Sequence, residues 1–190
     1  MKLYSLLLLF SLPFLTLKGD DPIDYLGVKG PLKFNKNVFE LAWSAKPNES
    51  SFVQEYLPKG ETVDHFNEML TLNLFITNLT VEDAIRMRVS DLNNNKSIKA
   101  SNVSVTENPD GNEKMVDCTI TAGNVAEFVI YRFKQIDLPN DRKGLIVFSY
   151  SKRNYGDTVE KFITDLKTER ITLLNTMIAT EMPKVTIKSK

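Results

Sequence analysis

The sequence predicts an α+β fold, an antiparallel sheet of about five to six strands with helices packed on one face. Three observations predict it. Apolar and polar residues alternate through residues 39–44, 52–57, 101–107 and 116–120, the pattern of half-buried strands. In residues 61–75, 81–92 and 162–177 the apolar spacing changes to three and four, the pattern of amphipathic helices. Strands and helices also fall in separate runs instead of alternating one by one.

The elements follow in order. Residues 20–31 are a polar lead-in containing Gly and Pro, expected as surface coil, and Leu32 begins the folded part. Phe39, Leu41 and Trp43 alternate with Glu40, Ala42 and Ser44 as a strand. Lys46-Pro47-Asn48-Glu49-Ser50 is turn chemistry, and residues 52–57 alternate again, so the two runs predict a hairpin. Val63, Phe66, Leu70 and Leu74 predict a helix over 61–75, although 70–77 also alternates. Thr80 is an N-cap followed by Glu82 and Asp83, which complement the helix dipole. Val81, Ile85, Val89 and Leu92 form the stripe of that helix, and Asn93-Asn94-Asn95 ends it.

From residue 98 onward strands dominate. Runs at 101–107, 116–120, 127–135 and 145–152 are separated by turn signals at Asn108-Pro109-Asp110-Gly111, at Gly123-Asn124 and across 138–144. Consecutive runs of this kind predict an antiparallel meander. Asp157 and Glu160 fit a D-x-x-E capping box for a last helix carrying Phe162, Ile163, Leu166, Leu173, Leu174 and Met177. Pro183 stops that helix at the latest. Residues 184–190 are a basic tail, expected to fray.

Residues 1–19 have the layout of a secretory signal peptide, with Lys2, an apolar run over 3–17 and a sharp polar change at Lys18-Gly19-Asp20-Asp21. The run is too short and interrupted for a membrane span, which needs ~20 apolar residues. The expected product is an exported, periplasmic or secreted protein with a single domain over 32–183 and no transmembrane span. Cys118 is the only cysteine, so no intramolecular disulfide forms, and its alternating surroundings predict a buried structural thiol. The chain carries 24 basic and 24 acidic side chains; without Lys2 and Lys18 the balance is 22 against 24, a net of −2. Such a charge argues against a nucleic-acid partner.

Few residues suggest chemistry. His65, the only histidine, lies near Asp64 and Glu68 in a predicted helix, where an i, i+3 pair with Glu68 would suit a proton-transfer role in a hydrolase. One histidine cannot supply the usual zinc set. Ser149-Tyr150-Ser151-Lys152 matches S-x-x-K, but on a strand rather than at a helix start and without its companion motifs. Asp110, Asn112 and Glu113 around Gly111 fail the calcium-loop pattern at its first position. No phosphate-binding loop and no motif for another cofactor is present. Arg132, Lys134, Lys152, Arg153 and Tyr155 form an aromatic–basic cluster near adjacent strand ends, able to hold an anionic ligand or a partner.

Asp24-Tyr25-Leu26-Gly27-Val28-Lys29-Gly30-Pro31-Leu32 and Gln54-Glu55-Tyr56-Leu57-Pro58-Lys59-Gly60-Glu61, together with Tyr150-Ser151-Lys152-Arg153 and the long terminal helix, resemble exported proteins of Bacteroidota of uncharacterised function. The resemblance implies a periplasmic or envelope location in a Gram-negative cell and carries over no catalytic residue. By architecture alone the expected fold also resembles sheet-and-helix modules of the PsbP/Mog1 type, which fixes no function. The sequence reading is therefore an exported module that binds a small ligand or an envelope protein and shows no catalytic set. A His65-based hydrolase and an envelope structural subunit are the alternatives.

Overall fold

The computed structural model describes residues 21–107 and 113–188. The leader expected at 1–19, the turn at 108–111 and its failed calcium pattern at Asp110 and Asn112 lie outside the described residues.

The sheet has eight strands: β1 (Leu32–Phe34), β2 (Asn37–Asn48), β3 (Ser51–Leu57), β4 (Glu68–Ile76), β5 (Lys99–Glu107), β6 (Glu113–Ala122), β7 (Val125–Leu138) and β8 (Arg142–Tyr155). Their order across the sheet is β1-β2-β3-β4-β8-β7-β6-β5, and every neighbouring pair is antiparallel. Two four-stranded meanders thus meet at the β4–β8 pair. Helix α1 (Val81–Asn94) carries the chain from the central β4 to the edge strand β5, and α2 (Val159–Ala179) follows β8.

Both the strand count and the helix placement correct the expectation of about five to six strands with helices on one face. The helix expected over 61–75 does not form: residues 61–67 are loop and residues 68–76 form β4. Spacings of four suit a helix, but they also keep the same parity on a strand, so Phe66, Leu70 and Leu74 satisfy both patterns. Residues 69–74 are all buried, because β4 is central and covered on both faces. Short β1 turns into β2 through Asn35 and Lys36, at φ 45° and 69°, the double positive φ of a tight hairpin.

The helices lie on opposite faces. Even-numbered Phe128, Ile130, Ile146 and Phe148 share a core with Leu70, Leu72 and Leu74 and with Phe162, Leu166, Leu173, Leu174 and Met177 of α2. Odd-numbered Val129, Tyr131, Phe133, Leu145 and Val147 pack with Val116, Cys118 and Ile120 against Ala84, Ile85 and Leu92 of α1. A strand's alternation thus feeds two cores, one per face.

The expected α1 forms as read. Thr80 Oγ1 accepts from Asp83 N at 3.1 Å, with Glu82 and Asp83 in the first turn. The capping box expected for α2 does not form: Asp157 falls in a 3-10 turn and the N-cap Thr158 makes no side-chain cap bond. Burial pushes the Cys118 thiol up to about 12, as befits an inert core residue.

Two segments expected at the surface are tied down. Leu26 is fully buried, its N–H donates to Gln54 Oε1 at 2.9 Å, and Tyr56 Oη donates to Val28 O at 2.5 Å. The basic tail runs beside this lead-in: Thr186 N donates to Leu26 O at 2.8 Å and Lys188 N to Tyr25 O at 3.0 Å. Val185 and Ile187 pack on the core, and Lys188 pairs with Asp24 at 2.6 Å. Alternate apolar residues in an otherwise basic run make this docking possible.

Candidate functional site

The two longest strands, β7 and β8, carry all five residues of the aromatic–basic cluster, but not as one group. Arg132 pairs in register with Phe148, whereas Arg153 pairs with Glu127. Five residues separate these positions along β7, about 16 Å at ~3.3 Å per residue. Parity then divides them by face. Arg132, Lys134 and Lys152 lie on the α2 side, and Arg153 and Tyr155 on the α1 side.

Arg132 closes the carboxyl end of α2. Its Nη1 donates to Met177 O at 2.8 Å and to Thr180 O at 2.6 Å, meeting carbonyls that the helix leaves unpaired. Its Nε and Nη2 bind Glu113 Oε2 at 2.6 and 2.5 Å, while Lys134 Nζ reaches Glu113 Oε1 at 2.8 Å. Burial raises the Glu113 carboxyl, but hydrogen bonds from Lys134 and Arg132 outweigh it and hold the group below its ordinary value.

These groups floor a cleft of about 520 Å³ between β7 and the chain beyond α2. Ile136, Ile146, Ile178, Met182 and Val185 give it apolar walls, and Lys134, Asp137, Glu181 and Lys184 stand around it. Ile178 is 53% exposed, a large apolar side chain left open beside charged neighbours. The arrangement can take an apolar body while offering cations to an anionic end.

The other three residues sit elsewhere. Lys152 pairs with Glu169 of α2. Arg153 lies with its guanidinium 4.0 Å from the Phe66 ring centroid and binds Glu127 at 2.6 Å. Tyr155 Oη donates to Phe66 O at 2.8 Å and accepts from Phe66 N at 3.2 Å, and its ring stacks on His65 at 4.4 Å. Both hold the loop of residues 58–67 against the sheet end.

The hydrolase constellation does not assemble. His65 is exposed on that loop, where no helix brings Glu68 to it, and Glu68 accepts from Asn37 Nδ2 at 2.8 Å instead. Ser149 is buried on the α1 side, and Lys152 projects from the opposite face. Among the described residues no group of three or more His, Cys, Asp or Glu is placed to hold a metal, and no helix is long and apolar enough to cross a membrane.

Sequence reading missed Glu55 and Glu127. Both are 7% exposed and share the α1 face with Arg153. Burial pushes the Glu55 carboxyl up to about 7; Arg153 opposes the rise and Glu127 adds to it. The available signal was parity: each carboxylate stands at an inward position, beside Val53 and Leu57 or beside Val129 and Tyr131. Asp117 is likewise buried, held by Arg170 of α2 at 2.6 and 2.9 Å.

Residues 26–182 match the model of an uncharacterised protein family. No curated protein matches the chain.

Proposed function

The chain belongs to that uncharacterised family, and we propose that it is an exported ligand-binding module whose site is the cleft beside β7. The observation that carries the reading is the meeting of Arg132 and Lys134 with the exposed Ile178 in one cleft of about 520 Å³. The ligand that fits best is amphipathic, with an apolar body against Ile136, Ile178 and Met182 and an anionic group toward Lys134. Arg132 acts as a positioning residue, because its donors are already engaged by α2 and Glu113. The layout of residues 1–19 supports export to the periplasm or beyond, and the stretches resembling exported Bacteroidota proteins support an envelope setting.

Dodecyl phosphate is a suitable probe, since it joins an apolar chain to an anionic head. The expected result is saturable NMR shift changes confined to the cleft, with affinity at least tenfold weaker in Lys134→Glu and Ile178→Asp. Shift changes elsewhere, or unchanged affinity in both variants, would overturn the site. N-terminal sequencing of the native protein is expected to begin near residue 20; a membrane-embedded product starting at Met1 would overturn export.

A further inference from the structure

We propose that the outer face of α2 pairs two copies of this chain, packing antiparallel against itself across a two-fold axis. Among the described residues Ile171 and Ile178 are the most exposed large apolar side chains, at 57% and 53%, and both stand on this one helix, seven residues apart. Thr164, Thr168 and Asn175 are exposed with them. The positions 164, 168, 171, 175 and 178 are spaced alternately by four and three, the seam of a two-stranded coiled coil. Phe162, Leu166, Leu173, Leu174 and Met177 face the core from the other side of the helix, so the seam takes no part in holding α2 to the sheet.

The two halves of α2 differ in charge. Residues 160–170 carry six charged side chains, and residues 171–180 carry none. A helix face that stays in water ordinarily carries charge, so an exposed half without any points to a covered surface. Within the seam Thr164 Oγ1 donates to Glu160 O at 3.0 Å and Thr168 Oγ1 to Asp165 O at 2.9 Å. These hydroxyls are satisfied inside the helix and can be covered at little cost. The seam over 164–178 is about 21 Å long at ~1.5 Å per residue, which places the pairing among small, concentration-dependent interfaces.

The charges at the two ends of the seam select a second copy as the partner. Lys167 is exposed at one end and has no ion-pair partner among the described residues. Glu181 stands at the other end, 82% exposed, and meets Lys184 only at 3.7 Å. An antiparallel pair centred near residue 173 sets Ile171 beside Asn175 of the second copy and Ile178 beside Thr168. The same arrangement brings Lys167 of each copy to Glu181 of the other. A two-fold pairing is isologous, so each attraction occurs twice. A parallel pair would set Lys167 against Thr172 instead. A bilayer of anionic lipid would attract Lys167 but repel Glu181. Asn175 within the seam lowers affinity and favours a single register. Ile178 also walls the cleft, so the second copy covers that wall. Ile171 and Lys167 lie outside the cleft, and their variants test the pairing without touching the ligand site.

Sedimentation velocity of the purified chain over a wide concentration range should show a reversible shift from monomer to dimer. Ile171→Asp should abolish that shift and leave the far-UV spectrum unchanged, because the side chain it replaces is exposed. Lys167→Glu and Glu181→Lys should each weaken association about tenfold, and the two together should restore it. If Ile171→Asp fails to fold, the charge variants decide alone. A monomer at every concentration, or a dimer that Ile171→Asp leaves intact, would overturn the proposal. So would a double charge variant that associates no better than the single ones, or a monomer that floats with phosphatidylglycerol vesicles instead of pairing.

Discussion

Asp117 is 1% exposed, and Arg170 of α2 grips both of its carboxylate oxygens. A bidentate pair of this kind fixes orientation as well as charge. Arg170→Ala strands the carboxylate in the interior, and we expect it to lower stability by about 3 kcal/mol in urea unfolding. Converting both partners, as Asp117→Asn with Arg170→Met, should recover much of that loss, because no unpaired charge then remains. Glu55 gives the opposite kind of prediction. Its carboxyl titrates near 7 when folded, against an ordinary value of 4.5, so the native state binds the extra proton between those two values. Stability should therefore fall as pH rises from about 4.5 to about 7, by up to about 3 kcal/mol. Glu55→Gln should flatten that stretch of the stability profile relative to the wild type. Glu113, held below its ordinary value, acts with the reverse sign: its contribution is present above the unfolded value and is lost as acid protonates it. The difference between wild type and Glu55→Gln separates the two.

At the level of elements, Thr80→Ala removes the acceptor for Asp83 N and should cost about 1 kcal/mol, read as a lower unfolding midpoint with far-UV signal retained below it. This cap was plain in the sequence because capping is local: Thr80, Glu82 and Asp83 stand within one turn. Strands β7 and β8 were equally plain, since each is an apolar-rich run, continuous at residues 128–131 and 145–148, bounded by turn signals. β4 was not. A central strand loses its polar face, and a spacing of four residues is shared by helix stripe and strand parity, so Phe66, Leu70 and Leu74 could not separate the two. The candidate site was legible only in part. Lys152 and Arg153 are adjacent in the chain, so a strand must send them to opposite faces. Which face each shares with Arg132 depends on where α1 and α2 come to rest. The cleft itself joins Arg132 to carbonyls 45 and 48 residues away, a pairing that no local pattern encodes. Glu55 and Glu127 escaped notice because a single inward carboxylate in an alternating run looks like any other polar position until its neighbours across the sheet are known.

For the molecule as a whole, the two meanders share the β4–β8 ladder, and a helix on each face closes two separate cores. The backbone beside Tyr25 and Leu26 runs against that of Thr186 and Lys188, so the beginning and end of the described fold are hydrogen-bonded neighbours. Joining the two ends at this seam would therefore leave every strand with its present neighbours. A circular permutant that joins residue 188 to residue 24 by a short Gly-Ser bridge and opens the chain at the two-residue turn of Gly123 and Asn124 should fold to the same sheet. Its far-UV spectrum should match the parent's and its unfolding should remain a single transition; a permutant that stays unfolded would show that the seam between the ends must form from free termini.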